Sequence, residues 1–208
     1  MIRHSDLDIR IYWEFFNLSY MPRNKIIFLL ILLLVFVLGV IIVIYLKKQR
    51  PAELAPISPP ANMQLTSPAF QNNEYIPQQY TCDGANANPP LNILDVPSAA
   101  KSLVLIVDDP DAPRGDWVHW TVWNINPTTA SIGENSVPNG AIEGQTDFGK
   151  PGYGGPCPPS GTHRYHFKLY ALDKELTLDN RAAKQDLLKA MSEHVLGQST
   201  LMGLYKRQ

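Results

Sequence analysis

The longest hydrophobic stretch of the chain lies near its N-terminus, where residues 26–45 read IIFLLILLLVFVLGVIIVIY. These twenty positions carry no charge and include a single glycine, Gly39. A helix rises about 1.5 Å per residue, so a run of this length covers the roughly 30 Å hydrocarbon core of a bilayer. The pattern predicts an N-terminal tail at residues 1–25 and a transmembrane helix at residues 26–46.

Two other interpretations of this run are a cleaved signal peptide and a buried helix of a soluble protein. The run exceeds the roughly 7 to 15 apolar residues of a signal peptide, and basic residues follow it in place of a small-residue cleavage site. A buried helix normally carries a polar stripe, which this segment lacks. Met21 starts a short basic segment of its own, so translation could begin there instead of at Met1. An uncleaved single-pass span is favoured.

The charges that flank the run do not orient it. Four basic residues precede it (Arg3, Arg10, Arg23 and Lys25) and three follow it (Lys47, Lys48 and Arg50), so the positive-inside rule gives nearly equal counts. A short tail before a single first hydrophobic segment is typical of an uncleaved signal anchor. We therefore expect the rest of the chain on the extracytoplasmic side of the membrane.

A different pattern begins after the hydrophobic run. Residues 47–62 contain four prolines among small, polar and charged residues, a composition typical of an extended linker. From residue 63 onward the apolar segments are short and are separated by Gly, Pro, Asn and Asp, without an internal repeat. This pattern predicts a mainly β domain with a few helices over residues 63–208.

Three strands stand out in this domain. Ser102 to Val107 is a nearly continuous apolar run, typical of a central strand, whereas Trp117 to Ile125 and His163 to Leu172 alternate between two faces. In the second strand, strict alternation places Trp117, His119, Thr121 and Trp123 opposite Val118, Trp120 and Val122. In the third, it places His163, Tyr165, Phe167 and Leu169 opposite Arg164, His166, Lys168 and Tyr170.

One helix is predicted late in the chain, over Asn180 to Leu196. Leu187, Leu188, Met191 and Val195 fall on one side of it. Asp179 or Asn180 can cap its start, and Gly197 can end it.

Composition narrows the possible functions. The chain has 18 basic and 19 acidic residues and a formal charge of -1, which argues against a generic nucleic-acid-binding protein. Two cysteines exclude a disulfide-dense scaffold and a four-thiolate zinc site. One disulfide, one reactive thiol or two inert thiols remain open.

Four short clusters carry side chains suited to chemistry: DDPDAP (108–113), WVHW (117–120), GYGGPCPPSG (152–161) and HRYH (163–166). Taken singly, an Asp in such a loop more often caps a turn, and a His between aromatic residues more often packs in a core. Taken together, they suit a small anionic ligand, because imidazolium and backbone amide groups donate to phosphate or carboxylate oxygens. The chain shows no metal-ligand spacing, P-loop or nucleophile elbow, so we expect no enzyme activity.

These clusters, with SPAF (67–70), YTCDG (80–84), HWTVWNI (119–125) and LMGLY (201–205), resemble the phosphatidylethanolamine-binding protein family, specifically its bacterial Raf-kinase-inhibitor-like branch. The resemblance implies a large central antiparallel β-sheet flanked by a smaller sheet and a few helices. It also implies binding of phosphate, a phospholipid head group or a similar phosphorylated ligand, without a cofactor or a metal. Some eukaryotic members modulate kinases or proteases.

By matching position, the resemblance implies ligand-binding roles for Asp109, Asp111, His119, Gly155, Pro156, His163 and Tyr165. It implies that Arg164 braces the DPDAP carboxylates and that Trp117 and Trp120 give structural support. The family fold would bring Cys82 and Cys157 to the same rim, where they either pair as a disulfide or remain packed thiols.

Three alternatives to this function remain. The first is an inhibitor of a protein partner, a kinase or protease modulator that acts through the pocket rim. The second is a hydrolase with Cys157 as nucleophile, although the flanking prolines remove amides that an oxyanion hole would need. The third is a zinc site of His119, His163, His166 and Cys157, although residues 163 and 166 face opposite sides of a strand. We expect a membrane-tethered anion-binding module.

Overall fold

The computed structural model describes residues 22–48 and 62–207. The chain divides into two units, Met1–Pro56 and Ile57–Gln208, and each is described by itself. Residues 1–21 of the predicted tail and residues 49–61 of the predicted linker lie outside the described residues.

A single helix, α1 (Arg23–Lys48), is the described part of the first unit. Its 21 residues Arg23–Val43 have a mean hydropathy of 3.7 and are not buried. The helix contains no proline, so no residue interrupts its backbone hydrogen bonds. The predicted apolar helix is confirmed, whereas its insertion into a membrane stays a prediction.

The second unit contains nine strands and one α-helix among its described residues. In chain order they are β1 (Gln64–Thr66), β2 (Glu74–Tyr75), β3 (Leu91–Leu94), β4 (Ser102–Asp109), β5 (Trp117–Ile125), β6 (Ser131–Ile132), β7 (Ile142–Glu143), β8 (His163–Leu172), α2 (Lys184–Met191) and β9 (Val195–Tyr205). The large sheet has the order β2-β9-β8-β4-β5-β7, and the small sheet has the order β1-β3-β6. All pairs are antiparallel except β2 with β9. The predicted mainly β fold, with a large and a small sheet, is confirmed.

Each face of the large sheet is covered by its own hydrophobic cluster. Leu103, Leu105 and Val107 of β4 belong to the cluster that includes residues of the small sheet. Val104 and Ile106 of β4 belong to a second cluster, which includes Leu187 and Met191 of α2. All eight residues of β4 are buried. This is why the strand has a continuous apolar sequence instead of an alternating one.

The predicted helix is wrong at both ends. Helix α2 begins at Lys184, and the residue before it, Ala183, is the N-cap. The amide of Ala183 donates to Asp186 Oδ2 at 3.0 Å, so neither Asp179 nor Asn180 caps the helix as predicted. After the helix the chain turns through Glu193, which has a φ of 66°, and enters β9. Val195 and Gly197 then pair with Leu172 and Ala171 of β8. The helical spacing of apolar residues therefore continues past the end of α2 into β9. There, pairing with β8 determines the structure.

The predicted separation of Trp120 and Val122 from Trp123 is confirmed, but the predicted faces do not carry across His119, because the strand contains register shifts. Val107 pairs with Trp120 but Asp108 pairs with Val118, which leaves His119 as an extra residue. A second shift lies near Asn124, whose φ is 55°. As a result, Trp120, Val122 and Ile125 share the cluster between the sheets, and Trp123 lies in the other one. The alternation predicted for β8 matches the buried pattern at residues 163–171.

Candidate functional site

A cavity of about 410 Å³ opens at the end of the large sheet where β4 ends and where β5 and β8 begin. Three polar side chains from these strands line it: Asp109, His119 and His163. Its other walls are mostly apolar and come from Ala112, Pro113, Trp117, Phe148, Cys157, Pro158 and Pro159, with Arg114 as a cation. The site therefore combines a small polar cluster with an apolar surround.

Asp109 and His163 form a buried pair. Asp109 is the last residue of β4 and His163 the first of β8, and His163 Nδ1 lies 2.7 Å from Asp109 Oδ2. The other carboxylate oxygen, Oδ1, accepts from the amide of Asp111 at 2.9 Å. An ionised carboxylate only accepts, so Nδ1 of His163 carries the proton. Nε2 is then the ring nitrogen that a ligand can reach.

His119 is held in the same way by a backbone carbonyl. Its Nδ1 donates to Gly154 O at 2.6 Å, and Gly154 N donates back to His119 O at 2.9 Å. The ring packs edge-on against Phe148 and Tyr165, with centroid distances of 5.3 and 5.2 Å. Burial lowers the pKa of His119 below its ordinary value, although the Gly154 carbonyl and the nearby carboxylates act in the opposite direction. At neutral pH His119 is uncharged, and its Nε2 is an acceptor.

Arg164 braces Asp111, as the resemblance implies. Its Nε and Nη2 donate to the two carboxylate oxygens at 2.8 and 2.5 Å, and its backbone amide donates at 3.0 Å. These hydrogen bonds hold the pKa of Asp111 at about 2. Because both oxygens are engaged by Arg164, Asp111 fixes the DPDAP loop and does not line the cavity.

The glycine-rich loop supports the cavity from behind. Gly155 N donates to Asn86 Oδ1 at 2.7 Å, and Pro156 O accepts from Cys82 N at 3.1 Å. A Cβ on Gly155 would lie 2.6 Å from Tyr80 O, so no larger residue fits there without a shift. Gly155 and Pro156 do not line the main cavity; Gly155 lines a neighbouring one of about 160 Å³.

Two further predicted residues lie in the core next to the site. Tyr165 is fully buried beneath His119, and burial raises the pKa of its hydroxyl, which has no hydrogen-bond partner in the described structure. Trp120 is also fully buried and donates from Nε1 to Glu143 Oε1 at 2.6 Å. Of the two predicted supporting tryptophans, Trp117 lines the cavity and Trp120 does not.

Cys82 and Cys157 form a disulfide, with their Cα atoms 5.4 Å apart and a sequence separation of 75. Cys157 lines the main cavity, and both cysteines line the smaller one. Because its sulfur is bonded to that of Cys82, Cys157 is not available as the nucleophile of a hydrolase. Within residues 22–48 and 62–207, no group of three or more His, Cys, Asp or Glu residues is placed to hold a metal ion.

A charge cluster lies on the opposite face of the large sheet, directly behind the site. Asp108 is fully buried, and its Oδ2 accepts from Lys168 Nζ at 2.8 Å and from Lys184 Nζ at 2.6 Å. Lys184 also pairs with Asp116. Asp109 and Trp117 are cross-strand partners. Asp108 directly precedes the first of them in the chain, and Asp116 directly precedes the second. Lys184 therefore ties together the two strand ends that form one side of the cavity.

Sequence reasoning missed several cavity residues. Pro113, Pro158 and Pro159 stand inside the clusters that were singled out, so their position was already suggestive. Arg114 directly follows the first cluster. Phe148 carries no such signal, because it belongs to a loop that only the tertiary structure places against Trp117 and His119.

The fold and the site define a class of β protein with a small, partly apolar ligand cavity at one end of its main sheet. Residues 66–206 match the family described as phosphatidylethanolamine-binding protein. A UPF0098 protein of Methanothermobacter thermautotrophicus is 51% identical over 150 residues, which are 70% of this chain and 99% of that protein. That relative therefore has almost no sequence beyond the shared domain.

Solved structures agree with the sequence comparison. A putative phosphatidylethanolamine-binding protein homolog, CT736 of Chlamydia trachomatis, is 43% identical, covers 71% of this chain and 99% of its own, and has a TM-score of 0.69. E. coli YbcL, described as a member of the mammalian PEBP family, is 30% identical, covers 71% of this chain and all of its own, and has a TM-score of 0.67. The chain belongs to the phosphatidylethanolamine-binding protein family.

Proposed function

We propose that this protein binds phosphate, a phospholipid head group or a similar phosphorylated small ligand in the cavity next to Asp109, His119 and His163. The observation that carries the proposal is that both imidazoles line one cavity with Nδ1 already engaged, by Gly154 O and by Asp109 Oδ2. Each ring thus has a fixed orientation and one free nitrogen. Fixed polar groups in a concave, mostly apolar site are the usual elements of small-molecule recognition.

The charges of the site favour binding that involves one extra proton, carried either by the ligand or by the His119 ring. Asp109 is an anion, and His119 is neutral at pH 7, so a fully ionised phosphate would face an acceptor nitrogen and a nearby negative charge. A protonated phosphate oxygen donates to Nε2 directly, and an imidazolium donates to an ionised oxygen. In both cases one proton lies between the ring and the ligand. The apolar walls suit the carbon atoms attached to the phosphoryl group.

Replacement of His119 tests the proposal. Phosphate and phosphoethanolamine are titrated into the full chain in a mild detergent near pH 6 by calorimetry. His119→Ala is expected to weaken binding by about 1.5 to 3 kcal/mol, since it removes a charge-assisted hydrogen bond. The matched control is His166→Ala, because His166 is on the opposite face of β8 and does not line the cavity. Equal affinity of the wild type and the His119 variant would contradict the proposal, as would equal losses in both variants.

We propose further that α1 anchors the protein in a membrane, with the domain on the extracytoplasmic side. The supporting observations are the length and hydropathy of Arg23–Val43 and a disulfide, which is typical of oxidising compartments. Protease added to intact cells is expected to digest the domain while α1 remains with the membrane fraction. A domain that is digested only after the membrane is broken would contradict the orientation, and a domain released into the medium would contradict the anchor.

A further inference from the structure

The disulfide occupies an unusual position for a purely structural cross-link. Both Cys82 and Cys157 are exposed residues, and they lie at the surface beside two cavities. Cys157 belongs to the wall of the main cavity, together with His119 and His163. Exposed disulfides are the ones that thiols reach and exchange with most readily, whereas structural ones are usually shielded. This bond is therefore both accessible to a reductant and part of the candidate binding site.

The bond also lies next to a part of the cavity wall that is held by packing and not by hydrogen bonds, in which Pro158 is buried and residues 159–162 are exposed. Before Cys157 the loop is held by several hydrogen bonds, which include Tyr153 OH to Tyr80 O, Gly155 N to Asn86 Oδ1 and Cys82 N to Pro156 O. After Cys157, residues 158–162 make no hydrogen bond to any other part of the described chain. Regular pairing resumes only at His163, where β8 begins. Two residues of this stretch, Pro158 and Pro159, line the main cavity.

We propose that the Cys82–Cys157 disulfide is a thiol–disulfide exchange site whose reduction loosens the ligand cavity, an inference that rests on the proposed ligand-binding function. The substrate class is a dithiol reductant. One of its thiolates attacks one sulfur of the bond, the protein disulfide breaks, and a mixed disulfide forms while the other cysteine leaves as a thiolate and takes up a proton. The second thiol of the reductant then displaces the attacked cysteine, so that the reductant is oxidised to a disulfide and the protein gains two thiols.

Reduction removes the covalent restraint on the wall that follows Cys157, above all on the exposed Pro159, while the hydrogen bonds before Cys157 keep the preceding loop in place. Gly154, which orients His119, stays anchored by the hydrogen bond between its amide and His119 O. The change is thus confined to one wall of the cavity and does not unfold the domain. Because the ligand contacts that wall, it binds the oxidised form more tightly. By linkage, a bound ligand must then stabilise the disulfide against reduction by the same factor.

The experiment measures both halves of this linkage on the full chain in detergent. Inorganic phosphate is titrated into the oxidised protein and into protein reduced with dithiothreitol. Separately, the ratio of reduced to oxidised dithiothreitol that reduces half of the protein is determined by thiol counting, with and without saturating phosphate. Reduction is expected to weaken phosphate binding at least about fivefold, the lower end of typical couplings between sites. Saturating phosphate is expected to raise the half-reduction ratio by the same factor.

A variant separates loss of the cross-link from other effects of the reductant. Cys82→Ser combined with Cys157→Ser is expected to bind phosphate as weakly as the reduced wild type and to be insensitive to dithiothreitol. Near-ultraviolet circular dichroism of the reduced wild type, which needs no variant, checks that the domain stays folded. Unfolding on reduction would overturn the proposal, because a local change is inferred.

The remaining outcomes distinguish this inference from the proposed function. Equal phosphate affinity of the oxidised and reduced forms would overturn the coupling while leaving ligand binding intact. A disulfide that resists dithiothreitol in the folded protein would overturn the exchange site. Absence of phosphate binding in both forms, with ready reduction, would contradict the proposed function and the coupling but support the exchange site.

Discussion

At the scale of single residues, the site depends on which ring nitrogen of each histidine is engaged. Gly154 O and Asp109 Oδ2 accept from the two Nδ1 atoms, so each ring presents its Nε2 to the cavity. The two rings have different partners, however. Nδ1 of His163 is paired with the Asp109 carboxylate, whereas Nδ1 of His119 is paired with a neutral carbonyl and its ring packs against aromatic neighbours. Burial lowers the pKa of His119, so this ring must gain a proton before it can donate to an anion from Nε2.

This asymmetry predicts how anion binding depends on pH. Burial lowers the pKa of free His119, so the ring is neutral at pH 7 and gains its proton only as the pH falls below its ordinary value of about 6.5. An anion favours the protonated ring, and its affinity must rise toward acid, by up to about tenfold per pH unit for one proton. Sulfate is a suitable probe because it carries no proton of its own between about pH 5.5 and pH 8. Calorimetric titration across this range checks the prediction.

The control for the pH dependence is the His119→Ala variant. Its residual affinity for sulfate is expected to vary much less with pH. A wild-type affinity that is constant over the range would mean that uncharged groups alone hold the anion.

At the scale of elements, the sequence predicted the strands that carry the site better than it predicted their geometry. The bounds of β5 and β8 were correct to the residue, because both begin and end at clear changes of pattern. The sequence could not show that the faces of β5 change at His119, since a bulge adds one residue without leaving a signal in the alternation. Across that bulge, His119 packs on Tyr165, and its neighbour Trp120 belongs to the same hydrophobic cluster as Tyr165. The apolar side chains of α2 and β9 follow a continuous helical spacing, so the boundary between them was also hidden.

The same limits apply to the site. Asp109, His119 and His163 were predicted from motifs and do line the cavity. Asp111 was assigned to it as well, because sequence cannot show that Arg164 engages both of its oxygens. Phe148 comes from a distant loop, and its place in the wall depends on long-range packing.

Helix α2 contributes to the site through Lys184, and this contribution can be measured. Burial lowers the pKa of the Lys184 amine, but hydrogen bonds to Asp108 and Asp116 more than compensate and leave it raised, so Lys184 is fully charged at neutral pH. Lys184→Met leaves the buried Asp108 with Lys168 alone. We expect the free energy of unfolding to fall by about 2 to 3 kcal/mol at pH 7, somewhat less than for a buried pair that loses its only partner. Urea denaturation of the variant measures this change.

Lys189→Met is the matched control, because Lys189 is an exposed lysine on the same helix. It is expected to change the free energy of unfolding by no more than about 0.5 kcal/mol. Similar losses in the two variants would show that the ion pairs of Lys184 add nothing specific to stability.

At the scale of the whole molecule, the apolar helix α1 and the β domain are two separate units. Both hydrophobic clusters consist only of residues from 63 onward, so the domain buries its core without α1. The disulfide also closes within the domain. The relative from Methanothermobacter thermautotrophicus consists of little more than this part. The core and the candidate cavity thus belong to the second unit, and the proposed role of the first unit is attachment to a membrane.

Removal of residues 1–61 is therefore expected to leave the fold and the site intact. The shortened chain should remain in solution without detergent, because it lacks the apolar segment Arg23–Val43. Its free energy of unfolding and its affinity for phosphate should match those of the full chain to within about 0.5 kcal/mol, since no core residue is lost. Urea denaturation and calorimetry on both forms measure these quantities, and membrane flotation of the two forms shows whether residues 1–61 are needed for attachment. Aggregation of the shortened chain would mean that its surface depends on the missing segment. Flotation of the shortened chain with membranes would mean that the domain itself binds lipid, in which case α1 is not the sole anchor.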